Sequence, residues 1–249
     1  MRGGAKVAGA VLPIALIVGA CSGGLGGTEE TGGADPAGDA RTAAQQGRYS
    51  GLPEPCGAVR QETLVELLPD AEPEVYAGDP MATYDTGRRV GCDWRYASGS
   101  DTRRLTVDFQ RVISYEPRVS DDDQAEIDFE AQAAEAGVTI AENGSDTDTD
   151  TDADADADAD NSSPALGDGT STDTRQLDGI GHVAFLDDRL TSNDAGGRRD
   201  VTLAFRNANV IVTVHYSIST PLPDTAPDSA QAQRSAETVA RQLAEGLDG

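Results

Sequence analysis

Beyond Lys6 the chain has no lysine, so arginine carries its basic charge against a large excess of Asp and Glu, for a formal net charge of −25. That balance excludes nucleic acid as a partner: phosphate binding draws on clustered Lys and Arg, and no basic stripe interleaved with aromatics occurs. The same sign opposes direct docking on anionic lipid headgroups. No apolar run reaches the about 20 residues that a membrane-spanning helix requires. The histidines are only two, His182 and His215, and neither falls in metal-ligand spacing, so no metal site is expected. Neither G-x-S-x-G nor H-E-x-x-H is present. Gly179-Ile180-Gly181 lacks the third glycine and the following helix of a nucleotide fingerprint, so no cofactor and no catalytic residue is expected.

What is present begins with Arg2 and Lys6, then the apolar run Val7–Ala20, interrupted by Pro13 and too short to span a bilayer. It closes on Val18-Gly19-Ala20-Cys21, which reads as a lipobox. Small residues at 19 and 20 suit cleavage between Ala20 and Cys21, and the Cys21 thiol would then carry the lipid. The two or more acyl chains of a diacylglyceryl cysteine are enough for stable anchoring. The expectation is a signal peptide over 1–20, then a lipidated cysteine and a Gly-, Thr- and Ala-rich flexible linker over 21–52, and a folded domain over 53–249 on the outer face of the cell membrane.

Three cysteines are an odd number for an exported protein, and lipidation of Cys21 accounts for the odd one. Cys56 and Cys92 are left as a pair that an oxidising compartment would join, stabilising the fold by about 4 kcal/mol in the chain-entropy model. Within the domain, residues 121–160 contain no basic residue, and Asp146–Asp160 reads DTDTDTDADADADAD. Repeating like charges with nothing larger than Ala to bury predict a disordered acidic insert over about 142–176. The run has neither the glycine nor the terminal glutamate of an EF-hand loop, so no specific calcium site is expected.

The folded part reads as α+β. Val59, Leu64, Leu67 and Leu68 predict a helix that ends before Pro69. Cys92, Trp94 and Tyr96 share one face of a strand, with Trp94 packed over the disulfide. Leu105, Val107 and Phe109 alternate with polar residues as its hairpin partner. Residues 124–136 have helical composition, with Ile127 and Phe129 as anchors. A glycine turn at 179–181 leads into a short strand. Val201, Leu203 and Phe205 face Val210, Val212, Val214 and Tyr216 across Arg206–Asn209 as a hairpin, which places His215 opposite the core. The spacing of Ala232, Ala236, Val239, Ala240, Leu243 and Leu247 predicts a C-terminal amphipathic helix, capped by Asp228 or Ser229 and fraying at Gly246. Strands adjacent in sequence with helices at the ends give a single domain with an antiparallel sheet.

The order of lipobox, linker, Pro55-Cys56 before a Leu-rich helix, Gly91-Cys92-Asp93-Trp94, the Gly-Ile-Gly turn and the final Ala240-Arg241-Gln242-Leu243-Ala244 helix resembles a family of actinobacterial lipoproteins whose function is uncharacterised. The resemblance covers residues 53–113 and 177–247. It implies a secreted, lipid-anchored α+β domain with a Cys56–Cys92 bridge, and it transfers no catalytic residue. The functional expectation is a non-enzymatic envelope protein that binds a wall component, a lipid-like ligand or another exported protein through its sheet face or a cleft beside the terminal helix. The alternative is a small extracytoplasmic hydrolase acting on wall or lipid substrates. Its one base region, His182 near Asp187 and Asp188, has no marked nucleophile.

Overall fold

Side chains that alternate between apolar and polar build the centre of the molecule. Val210, Val212, Val214 and Tyr216 are buried on β7 (Val210–Thr220), and Val201, Leu203 and Phe205 are buried on β6 (Gly196–Asn207). The turn between them is tight enough to hold Ala208 at a φ of 49°, a left-handed conformation uncommon outside glycine. The structure, a computed structural model, describes residues 45–99, 101–141, 170–193, 196–222 and 225–248. β2 (Arg89–Ser98) and β3 (Asp101–Arg111) form the first hairpin. β4 (Thr170–Leu177) and β5 (Val183–Asn193) lead into β6, and β7 returns to pair with β3. With the short β1 (Asp79–Pro80) these strands make one antiparallel seven-stranded sheet, ordered β1-β2-β3-β7-β6-β5-β4. The β3–β7 ladder joins the two halves of the sequence.

One face of the sheet carries the main core. Helix α1 (Gln61–Leu67) buries Leu64 and Leu67 against it, and helix α3 (Ser229–Asp248) buries Ala236, Val239, Ala240 and Leu243. Alanine at two of these α3 sites, Ala236 and Ala240, lets the helix lie close to the strands. Burying Val239 and Leu243 contributes about 1.5–3 kcal/mol each. Tyr216 reaches from β7 to donate its hydroxyl proton to the Leu67 carbonyl at 2.9 Å, satisfying the end of α1. Burial pushes that phenol above its usual pKa, against the opposing charge and hydrogen bond of Arg103. Cys56 and Cys92 are joined by a disulfide. Beside it Trp94 is fully buried and donates from Nε1 to the Tyr76 carbonyl at 3.2 Å. Gly78, at a φ of 69°, approaches so closely that a Cβ there would sit 2.5 Å from the Cys92 sulfur and 2.6 Å from Trp94 Nε1.

The opposite face is covered at one end by α2 (Asp121–Ala136), which starts with a reciprocal Ser120–Asp123 capping box and stops at Gly137 in the left-handed conformation. Ala125, Phe129 and Ala133 face inward at intervals of four and meet Phe185, Ala204 and Ile211. Phe129 is an anchor as expected. Ile127 is not, being 54 % exposed, because two residues from Phe129 on a helix places it on the far side.

Four boundaries differ from expectation. The strand β4 occupies 170–177, so it takes up the end of the region expected as insert. Strand β5 runs for 11 residues, longer than the short strand predicted. Residues 45–52 belong to the fold: Tyr49 and Leu52 pack on the core, and the buried Asn209 amide both accepts from Tyr49 N and donates to Tyr49 O, each at 2.9 Å. Gly246 lies inside α3, which continues to Asp248. The α3 cap is Asp228, whose carboxylate accepts from Gln231 N, while Ser229 turns to Asp188.

Candidate functional site

Beyond α2 the second face of the sheet is open and polar. A single register row crosses six strands there: Asp93, Thr106, His215, Thr202, Asp187 and Thr174 are successive partners on β2, β3, β7, β6, β5 and β4. At ~4.8 Å per strand the row is about 24 Å long. The adjoining row runs Arg95, Arg104, Ser217, Asp200 and Arg189.

The two rows are stitched by charge-assisted hydrogen bonds. Asp93 accepts from Arg104 Nε and Arg95 Nε, both at 2.5 Å, and from the Thr106 hydroxyl at 2.9 Å. Asp187 accepts from Arg189 at 2.7 Å and from Thr174 at 3.3 Å. Asp200 takes both Nε and Nη2 of Arg198 at 2.8 Å, and its carboxylate lies 3.5 Å from His215 Nε2. His215 Nδ1 is 3.1 Å from the Thr202 hydroxyl. Burial works to raise the Asp200 pKa, but the hydrogen bonds from His215, Arg198 and Ser217 and the Arg198 charge outweigh it, so the carboxyl is held well below its usual range.

Depth separates the two signs of charge. The side chains of Asp93 and Asp187 are only 7 % and 9 % exposed, whereas those of Arg95 and Arg198 are 65 % and 55 % exposed. Carboxylates form the floor and guanidinium groups project above it, so a strongly acidic chain presents an arginine-tipped face. Its planar donors match carboxylate and phosphate geometry. The Thr202, His215 and Asp200 groups form a hydroxyl–imidazole–carboxylate relay, but the surrounding strand amides are committed to the ladders on either side. Backbone N–H groups are therefore not free to stabilise an oxyanion.

A second polar cluster lies on the core face. Asp188 is buried, 2.6 Å from Arg199 Nη1, and accepts also from Gln233 at 2.8 Å and from Ser229. Arg199 in turn donates to the Pro227 carbonyl at 2.7 Å. These contacts fix the start of α3 against β5 and β6.

The structure brings together some expected site residues and separates others. Cys56 and Cys92 are bonded; Ala20 and Cys21 lie outside the described residues. His215 is cross-strand paired, opposite Thr202. His182 is exposed in its turn and accepts from Ala208 N at 3.3 Å, while Asp187 and Asp188 point to opposite faces with their own arginines. The base region expected around His182 is therefore not assembled. The arginines of the open face were missed, although a signal exists: Asp93-Trp94-Arg95, Asp187-Asp188-Arg189 and Arg198-Arg199-Asp200 each set acid and base two residues apart on a strand, hence on one face. Among the described residues no group of three or more His, Cys, Asp or Glu could hold a metal ion, and no helix is long and apolar enough to cross a membrane. No protein-family model matches the chain, and no curated protein matches it.

Proposed function

We propose that this is a lipid-anchored protein of the cell envelope, tethered through Cys21 to the outer face of the membrane, that works by binding and not by catalysis. The observation that carries the binding reading is the open sheet face, where exposed arginines stand over buried carboxylates. A face of this kind recognises a polar partner bearing acidic groups, either a wall component or another exported protein; its charged lining is a poor match for lipid tails. The lipobox residues support the tether, and the Cys56–Cys92 bridge supports an oxidising compartment.

Photo-crosslinking in living cells tests this. A crosslinker replacing Arg104 or Arg198 should capture a defined partner, and one replacing the exposed Glu66 of α1 should not. Charge reversal at Arg95 and Arg104 should abolish capture. Equal capture from both sides of the molecule would refute the assignment of the face.

The Thr202–His215–Asp200 relay is the one observation that favours a hydrolase. If the relay is catalytic, Thr202→Ala and His215→Ala will each remove turnover of a wall or lipid ester. The binding reading expects no turnover in the unaltered protein.

A further inference from the structure

Where α2 stops short of β2 and β3, the second face falls into a groove of about 560 Å³, within the size range of small-molecule sites. Its sheet-edge wall carries Arg88 and Arg111. The Arg88 guanidinium lies 5.0 Å from the centroid of the Tyr115 ring and donates to that residue's hydroxyl, while the ring itself is 80 % exposed. Arg111 donates from Nε to the Gly87 carbonyl at 2.7 Å, which orients its fork and leaves both Nη groups for a ligand. Neither arginine has a carboxylate partner among the described residues, although most of the others do and the neighbouring Arg89 is committed to Asp108. Glu116 and Asp128 also line the groove, with one Asp128 oxygen taking the Gln124 amide at 2.8 Å.

We propose that this groove binds a small zwitterion of the amino-acid or short-peptide class, its carboxylate on Arg88 and Arg111 and its ammonium group on Glu116 and Asp128. The two unpaired cations call for an oxyanion, and a planar carboxylate accepts two parallel hydrogen bonds from a guanidinium. The acids of the same groove repel a phosphate dianion and leave a simple carboxylate unmatched at its other end. The site is independent of any partner on the arginine-tipped rows.

Calorimetric titration of the full-length chain with glycylphenylalanine, its C-terminal amide, its N-acetyl derivative and inorganic phosphate tests the proposal. The free dipeptide should bind one to one, with each blocked form weaker by about ten-fold or more. Arg88→Gln and Asp128→Asn should weaken it by a similar factor. The Arg88 side chain bonds and stacks only with the exposed Tyr115, and its backbone bonds to Asp85 and Arg111 survive the substitution, so Arg88→Gln leaves folding intact and guards against an Arg111→Gln variant that unsettles the Gly87 loop. No heat with the free dipeptide, equal affinity for a blocked form, unchanged affinity of the Arg88 variant, or phosphate binding as tightly as dipeptide would each overturn it.

Discussion

Asp187 and Asp188 are adjacent in sequence, yet they are held by opposite faces of one strand and their loss should be felt very differently. Asp188→Ala strands the Arg199 charge, whose side chain is 8 % exposed, and should cost about 3–5 kcal/mol in urea unfolding. Asp187→Ala releases Arg189, already half in water, and should cost about 1 kcal/mol or less. Asp200 sets a pH dependence. Its carboxyl is held below the usual range in the folded protein, so the stability it contributes is present above the unfolded pKa of about 3.9 and drains away as the pH falls below that. The difference in melting temperature between the wild type and Asp200→Asn should therefore be largest near neutrality and shrink below about pH 4. A constant difference across that range would mean that Asp200 acts through packing and not through its charge. At this scale the sequence identified the bonded cysteines and the buried Trp94. It left the arginines unread, because an Asp-x-Arg pair means little until the strand's faces are assigned.

Among the elements, alternation made β2, β3, β6 and β7 legible, since half-buried strands must repeat every two residues. The strand β4 escaped because TSTDTRQL has one apolar residue, Leu177, and otherwise polar residues at both sets of alternate positions. As the edge of the sheet it is protected from pairing with other chains by that same polarity. In α2 the composition gave the helix but not its register, which depends on small residues, Ala125 and Ala133, stacked about Phe129. Phe129→Ala should lose about 3–5 kcal/mol by thermal or urea unfolding, whereas Ile127→Ala should stay within about 0.5 kcal/mol. Reduction of the Cys56–Cys92 bond, which links residues 36 apart, should lower stability by about 4 kcal/mol while leaving the sheet's far edge to melt with the rest.

For the molecule as a whole, the class was legible from the chain ends and the strand patterns together: α+β, antiparallel, one folded unit after the N-terminal stretch. The polar face was not, because it exists only once β7 pairs with β3 and aligns side chains from distant parts of the sequence. Two whole-molecule outcomes follow. Cys21→Ser should move the protein from the membrane fraction to the medium. Removal of residues 142–162, which lie between Ala141 and β4, should leave the melting temperature nearly unchanged, since loop closure depends only weakly on length. The Asn209 clamp on Tyr49 also sets how the molecule is presented. Because the backbone joins the folded part beside the turn between β6 and β7, and strands of 11 residues at ~3.3 Å each run away from it, the hairpin tips near Gly99 and Gly196 stand about 36 Å from the Tyr49 clamp. Under the proposed tether through Cys21, those tips would be the first part of the fold to meet an approaching partner.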